Sequence, residues 1–579
     1  TILISLLVVL VFSSCFPSTP SDDIDPDFSL IPAGTITGTV TDATTGLMVS
    51  GVVLSTSPKT VSATTASTGK FTLSGLASGT YDLIATKTGY ATHTTEDLVL
   101  SDEEGLDIDI ELSINSGTLQ GTVINSFEHG LSTVSLELLN EETNAVLAQT
   151  TTDTSGLFSF TSVPLATYTL RATPADPSYS SLEKQHLTIT GAHSITLTLS
   201  GQPSNAATYV GSSTCDSCHE GIRETYSQTS HAQVLKSTED MVSAAKDFFE
   251  KNTALTFDLD PTSAEVNLPV VLSENRSGDP QMTLNGSGPY KISKVYGGQT
   301  RRESYLVTLD GHTYVLPVAW SIETNSFVLD EEEKGNWFAS DGRVTTPAAD
   351  QTYEQRCLGC HVTDMQILNV DGLITTVSPT DNSKPYLEEN IGCERCHGPG
   401  SEHVSVAASA NEDDSLKIVQ PRYLSLKENT QVCGQCHSQG QATHFTGGTI
   451  PYPVDANGVL YQAGKDLDDY FTQGNNLWES TVYSKGSHQE YSDHVQGGHY
   501  SNTQYNPRCS DCHDSHEKTS GVPHLLKAQA DDNSLCLSCN KALNFPTTES
   551  IQLHTQHPYD PTGTGASRCT GCHFTKTGT

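Results

Sequence analysis

Apolar positions change their spacing along this chain. Residues 2–12 (ILISLLVVLVF) are almost continuously apolar, with Ser13, Ser14 and Cys15 behind them. The run is too short to span a bilayer comfortably and has the length of the apolar core of an export signal. It lacks a starting Met and a basic lead, so the chain is expected to begin further upstream. Residues 16–33 are polar and Pro-rich, as in a flexible tether. From 34 to 200 apolar and polar residues alternate in short runs bounded by Gly, Asn and Asp, which predicts short strands. From about 205 on, long apolar periodic runs are few, and short helices joined by irregular loops are expected. Alternation returns within 250–350, in GPYKISKVYGG and in ESYLVTLDGHTYVLPVAW. The second of these turns at Asp310–Gly311, and the segment reads as a β-rich insert.

The strand-rich region repeats itself. ITGTVTDATTGLMVSGVVLS is echoed by LQGTVINSFEHGLSTVSLEL, and STGKFTLSGLASGTYDLIA by TSGLFSFTSVPLATYTLRA at an offset of 87 residues. Gly69, Phe71 and Tyr81 map onto Gly156, Phe158 and Tyr168. Each copy, 34–115 and 116–200, predicts a small β-sandwich. The pattern resembles the carboxypeptidase regulatory-like module, which implies a transthyretin-like sandwich. Neither copy shows a catalytic constellation, and His93, His129, His186 and His193 read as surface histidines. The residues 1–15 resemble a bacterial lipoprotein signal, which implies a lipid on Cys15, although Phe12 stands where that motif usually has Leu.

Fourteen of the fifteen cysteines fall into seven Cys-x-x-Cys pairs, none before Cys215. Six pairs are followed by His: Cys215, Cys218 and His219; Cys357, Cys360 and His361; Cys393, Cys396 and His397; Cys433, Cys436 and His437; Cys509, Cys512 and His513; Cys569, Cys572 and His573. Cys-x-x-Cys-His is the attachment sequence of c-type haem. Two thiols add to the two vinyl groups along one haem edge, and the short intervening loop brings the following His under the iron. Zinc sites and disulfides give no reason for a His at that offset every time. The region 205–579 therefore reads as a mainly helical and irregular multihaem domain. The expected fold class is multidomain, two all-β sandwiches followed by this domain with its insert.

Eleven further histidines lie in this region, and the chain has only four Met. That balance points to bis-His iron and to lower potentials than His/Met iron. His516 is too near His513 to reach round the same haem and should serve a neighbour. His403 closes CHGPGSEH behind the turn Gly398-Pro399-Gly400. His231 lies in RETYSQTSHAQVL, which reads as helix. His499 precedes Cys509 by ten residues, His554 and His557 stand in HTQHP before the last site, and His488 is a further candidate. His312 reads as a turn residue and Met365 as structural. His444, His494 and His524 are left undecided.

YVGSSTCDSCHEGIRETYSQTSHAQVL, IGCERCHGPGSEHV, VCGQCHSQG and GGHYSNTQYNPRCSDCHDSHE resemble the multihaem cytochromes related to the tetrahaem cytochrome of ammonia oxidisers. The resemblance spans most of 208–579. It implies closely packed bis-His haems with His231, His403, His499 and His516 as distal ligands. It also implies an electron carrier, or less commonly a reductase or oxidase of small nitrogen or sulfur compounds.

The seventh pair, Cys536 and Cys539, is followed by Asn540. Three readings compete: a haem with an open iron position suited to catalysis, a haem-free pair of thiols closed as a disulfide, and a sequence error or decaying copy. The chain is expected to carry six haems, or seven if this site is filled. A net charge of −38 excludes nucleic-acid binding and suits a soluble exported protein with a cationic partner. The expected function is electron transfer between a membrane or periplasmic donor and an external or periplasmic acceptor. The expected partners are redox proteins or an extracellular acceptor, and the expected location is a membrane-anchored lipoprotein in the periplasm or at the cell surface. The alternatives are an oxidoreductase working at Asn540 and a subunit of a conducting filament.

Overall fold

The computed structural model describes residues 34–579, apart from 103, 261–265, 300, 410–414, 475–488, 503–505, 523, 531, 544–546, 561–566 and 571–579. Cys15, the tether, His488, Cys572 and His573 lie outside the described residues, as do the side chains of Cys539 and Asn540. The chain divides into two compact units, Thr1–Gly117 and Thr118–Thr579.

In the first unit the alternating runs form two sheets. One has the order Ser62–Thr64, Val53–Ser57, Gly79–Thr86, His93–Leu100; the other joins Lys70–Ser74, Thr35–Asp42 and the short strands Leu106–Asp107 and Ile110–Leu112. The inward positions, among them Ile36, Val40, Leu54, Phe71 and Leu83, make the core. Alternation places these side chains on one face because successive residues of a strand point to opposite sides.

The second unit begins with the same plan. Val146–Thr151, Val134–Asn140, Thr167–Pro174 and Leu182–Thr188 make one sheet, and Leu157–Pro164, Ser116–Ile124 and Ala192–Thr198 the other. The sequence repeat is thus a repeat of topology. Phe71 and Phe158 are both core residues. Gly69 and Gly156 turn with φ of 71° and 78°, a backbone that favours glycine. Tyr81 donates its hydroxyl to Ala77 O at 3.0 Å, and Tyr168 donates to Pro164 O at 2.6 Å, four residues upstream in each copy.

The β-rich insert is a nine-stranded sheet. Its main path runs from Thr253–Asp258 through Asn267–Glu274, Pro280–Leu284, Ser287–Gly297, Arg302–Leu309 and Val318–Ser321 to Ser326–Leu329. His312 pairs with Leu309 across the tight turn at Asp310–Gly311. Helix Ser243–Glu250 covers the sheet through Ala245 and Phe249, which pack with Trp320, Trp337 and Tyr305. Leu306 and Val315 of the insert share a second core with Tyr353, Leu358, Val362 and Met365. Met365 is fully buried there, in the structural role its position suggests.

The rest of the second unit is short helices and loops, and no described helix is long and apolar enough to cross a membrane. His231 departs from expectation. The first helix, Ser212–Tyr226, ends before it, and His231 stands in the turn that follows. Thr229 explains the stop: its hydroxyl donates to Tyr226 O at 2.7 Å, a local side-chain bond that competes with helix.

Candidate functional site

Most of the described motif cysteines stand on helical turns where a short loop is expected from the sequence. Cys215 and Cys218 lie on Ser212–Tyr226, Cys360 on Leu358–His361, Cys393 and Cys396 on Cys393–His397, Cys433 on Leu426–Gly434, Cys509 and Cys512 on Cys509–Cys512, and Cys536 on Ser534–Leu543. A spacing of three residues along a helix puts both sulfurs on one side. His219 leaves helical geometry, with φ −117° and ψ 35°. Twelve cysteines among the described residues stand outside any disulfide.

Thiols of different motifs lie beside one another. Cys215 meets Cys393, Cys360 meets Cys436, and Cys433 meets Cys509. Within each couple one thiol is raised and the other lowered by the shared hydrogen bond: Cys393 and Cys436 each fall to about 6. Burial pushes Cys357, Cys396 and Cys536 up to about 12. These protonation states belong to the thiols alone, because a thioether carries no proton.

Histidines far apart in sequence come together in pairs. The rings of His219 and His403 have centroids 6.3 Å apart and planes 16° apart. Those of His397 and His516 are 6.0 Å and 11° apart. Those of His437 and His231 are 6.2 Å and 77° apart. Two imidazoles that share one metal through nitrogens about 2.0 Å from it have centroids about 6 Å apart. In each pair one member is a motif histidine and the other is not.

The outer ring nitrogens are held as in metal sites, where a second partner fixes the ring and its tautomer. His397 Nδ1 donates to Val419 O, His403 Nδ1 to Leu416 O and His513 Nδ1 to His524 O, each at 2.8 Å. His437 Nδ1 faces Glu490 Oε2 at 3.3 Å. His361 Nδ1 meets the hydroxyl of Tyr353, and the ring of Tyr296 lies 5.7 Å from that of His361. Burial, with His437 and His513 nearby, pulls His231 down to about 4, so its imidazole is neutral at ordinary pH, the form that binds metal. Burial lowers His397 also. In His437 burial opposes protonation, but Glu490 together with the thiols of Cys436 and Cys509 outweighs it and the value rises.

The donor set fits haem c: two thiols on one face, an adjoining imidazole, and in three cases a second imidazole at the separation one metal requires. Comparison with known proteins agrees. Residues 35–113 and 118–200 match the family model of the carboxypeptidase regulatory-like domain. Residues 214–264 and 323–398 match that of cytochrome c554 and c-prime.

Over these residues the chain is similar to the cytochrome c554 family.

Cytochrome c-554 of Nitrosomonas europaea is 30% identical over 112 residues, which cover 18% of this chain and 44% of that protein. The match therefore spans less than half of this curated relative. Among solved structures, the outer cell wall cytochrome OcwA aligns at 19% identity over 57% of this chain and 67% of its own, with a TM-score of 0.35. The Bacillus anthracis TIE protein aligns at 13% identity over 49% and 48%, with a TM-score of 0.25.

The remaining candidates are placed as follows. His554 is exposed on helix Thr548–Thr555, and His557 is exposed beyond it. His499 is half-buried in the turn after helix Glu490–Gln496, close enough to His494 to lower that residue's pKa, an effect in which burial is the larger cause. His494 itself has a buried Nε2 with no hydrogen-bond partner among the described residues and packs edge-on to Tyr500.

Two residues inside a motif carry roles that the motif does not announce. Arg395, 2% exposed, donates to Gly359 O at 2.8 Å and Tyr461 O at 3.0 Å. Glu394, 1% exposed, accepts from Gly211 N and Gly400 N at 2.7 Å each and from Val210 N at 2.9 Å. Burial lifts Glu394 to about 6. The x positions of Cys-x-x-Cys vary freely in a motif reading, so only the unusual choice of two charges in CERCH hints at them.

Proposed function

We propose that this cytochrome carries electrons along a chain of bis-His haems, from a membrane or periplasmic donor to an external or periplasmic acceptor. Haem c supplies one-electron chemistry when bound. The chain's own residues fix where each iron stands and how readily it takes an electron. In this reading each iron would be held by one pair: His219 with His403, His397 with His516, and His437 with His231. The observation that carries it is the recurrence of a centroid spacing of 6.0–6.3 Å in three pairs drawn from separate parts of the chain. Two imidazoles on one iron saturate it and leave no position for substrate, which suits transfer over conversion. Thiols of neighbouring motifs in contact support haems close enough for electrons to pass.

The reading includes export and a lipid on Cys15, with the acidic surface turned to a cationic redox partner. Both rest on the apolar run before Cys15 and on the charge of −38.

Protein-film voltammetry on the purified holoprotein tests the carrier role. A reversible multi-electron wave with low-spin ferric spectra is expected. A wave that turns catalytic with a small nitrogen or sulfur compound, together with a high-spin ferric signal, would overturn it in favour of an oxidoreductase.

A further inference from the structure

The second β-sandwich shows no catalytic constellation of its own. Its end, however, is built into the haem region through one short strap, residues 415–420. That strap supplies the backbone acceptors of two paired histidines. Leu416 O takes the Nδ1 hydrogen of His403, and Val419 O takes that of His397, both at 2.8 Å. Val419 N returns a bond to His397 O at 3.0 Å.

The strap is bent: Leu416 and Lys417 have φ of 59° and 48°, conformations that neither side chain favours. The sandwich holds it at several points. Ser200 Oγ, fully buried, accepts from Gln420 N at 2.8 Å. The ammonium of Lys417 donates to Ser178 Oγ. Gly201 lets the two backbones touch, since a Cβ there would fall 1.8 Å from Ser415 O. The linker behind the sandwich grips the helix of His403 as well: Thr208 N donates to Ser401 Oγ and Ser204 N to Glu402 Oε2, each at 2.9 Å.

We infer that the second sandwich is a positioning element for the His219/His403 and His397/His516 sites and sets their reduction potentials through strap 415–420. The inference rests on the axial pairs of the proposed function. An Nδ1–H bond to a carbonyl makes the imidazole a stronger donor and favours the ferric state, so it lowers the potential. Loosening the strap should raise the potential of these two sites and leave the others where they are.

The test uses full-length holoprotein. Gly201→Ala wedges the strap away from the sandwich, and Ser200→Ala removes one anchor more gently. Gly191→Ala, in the same sandwich with open space around it, is the control. Midpoint potentials are read by spectroelectrochemical titration and ligand fields from ferric EPR, on protein of unchanged haem content. In Gly201→Ala two potentials should shift upward and two low-spin signals should change, with smaller shifts of the same two in Ser200→Ala and none in the control. If all potentials hold, or all move together, the positioning role is overturned. His403→Met and His516→Met are run alongside. If neither removes a bis-His signal, the axial pairs fail; if both do and the strap variants shift nothing, only the role of the sandwich fails.

Discussion

The imidazole of His231 stands nearly perpendicular to that of His437, at 77°, whereas the planes of His219 and His403 differ by 16°. On one iron this difference has a spectral consequence. Parallel imidazole planes split the two iron orbitals that bind with them, and perpendicular planes leave those orbitals nearly degenerate. The ferric protein should therefore show a strongly anisotropic, large-g EPR signal for the His437/His231 site and rhombic signals for the other two pairs. His231→Met should remove the large-g signal alone.

Tyr353 governs a different site. Its hydroxyl meets His361 Nδ1, a place taken by a carbonyl oxygen at His397, His403 and His513. Tyr353→Phe keeps the packing and deletes that partner. One midpoint potential should rise, that of the haem on Cys357 and Cys360, and the others should stay. The loss of one buried hydrogen bond should cost about 1 kcal/mol of stability in a denaturant melt.

The sequence made some of this legible and hid the rest for physical reasons. The sandwiches were readable because a strand's period of two is written directly in Ile36, Gly38 and Val40 and again in Leu119, Gly121 and Val123. The thiols and motif histidines were readable because their spacing is local chemistry. His231 lies past the helix that its surroundings suggest, because Ser and Thr hydroxyls can end a helix without Gly or Pro. Strap 415–420 was invisible, since its contribution comes from carbonyls that any residue would carry. The placing of Arg395 and Glu394 at the meeting of separated segments depends on tertiary structure that no local pattern records.

Arg395 is a buried cation that bonds to the carbonyls of Gly359 and Tyr461, with the thiols of Cys360 and Cys436 close by. Arg395→Met should leave those carbonyls without donors and cost about 2–4 kcal/mol, measured by urea unfolding. Removing a positive charge also favours ferric iron, so the potentials of the haems on Cys360 and Cys436 should fall. Arg395→Lys should restore the charge but not the two-armed bonding, and so recover potential more than stability.

Glu394 predicts a pH effect. Its carboxyl is raised from 4.5 to about 6, chiefly by burial, against the pull of three backbone N–H donors. The folded protein therefore holds this proton more tightly than the unfolded chain. The resulting stabilisation is complete below about pH 4.5 and is lost as the pH rises through about 6, an effect on the order of 2 kcal/mol. Glu394→Gln keeps an oxygen for the N–H donors and cannot ionise. Unfolding free energies at pH 4.5 and 6.5 should differ less in the variant than in the wild type, by about 1.5 kcal/mol.

Cys536 lies on a helical turn like the other motif cysteines, near Cys569 of the last motif. What the site lacks is the histidine that closes the attachment sequence. If attachment requires that imidazole, the intact mass of protein matured in a host that makes c-type cytochromes should show six haems, and Asn540→His should add one. Six in both would mean that residues beyond the pentapeptide block attachment. Seven in the wild type would mean that two thiols suffice, leaving one iron without a motif histidine. The search for an open catalytic position would then begin at that iron, and the assignment of this chain as purely a carrier would have to be given up.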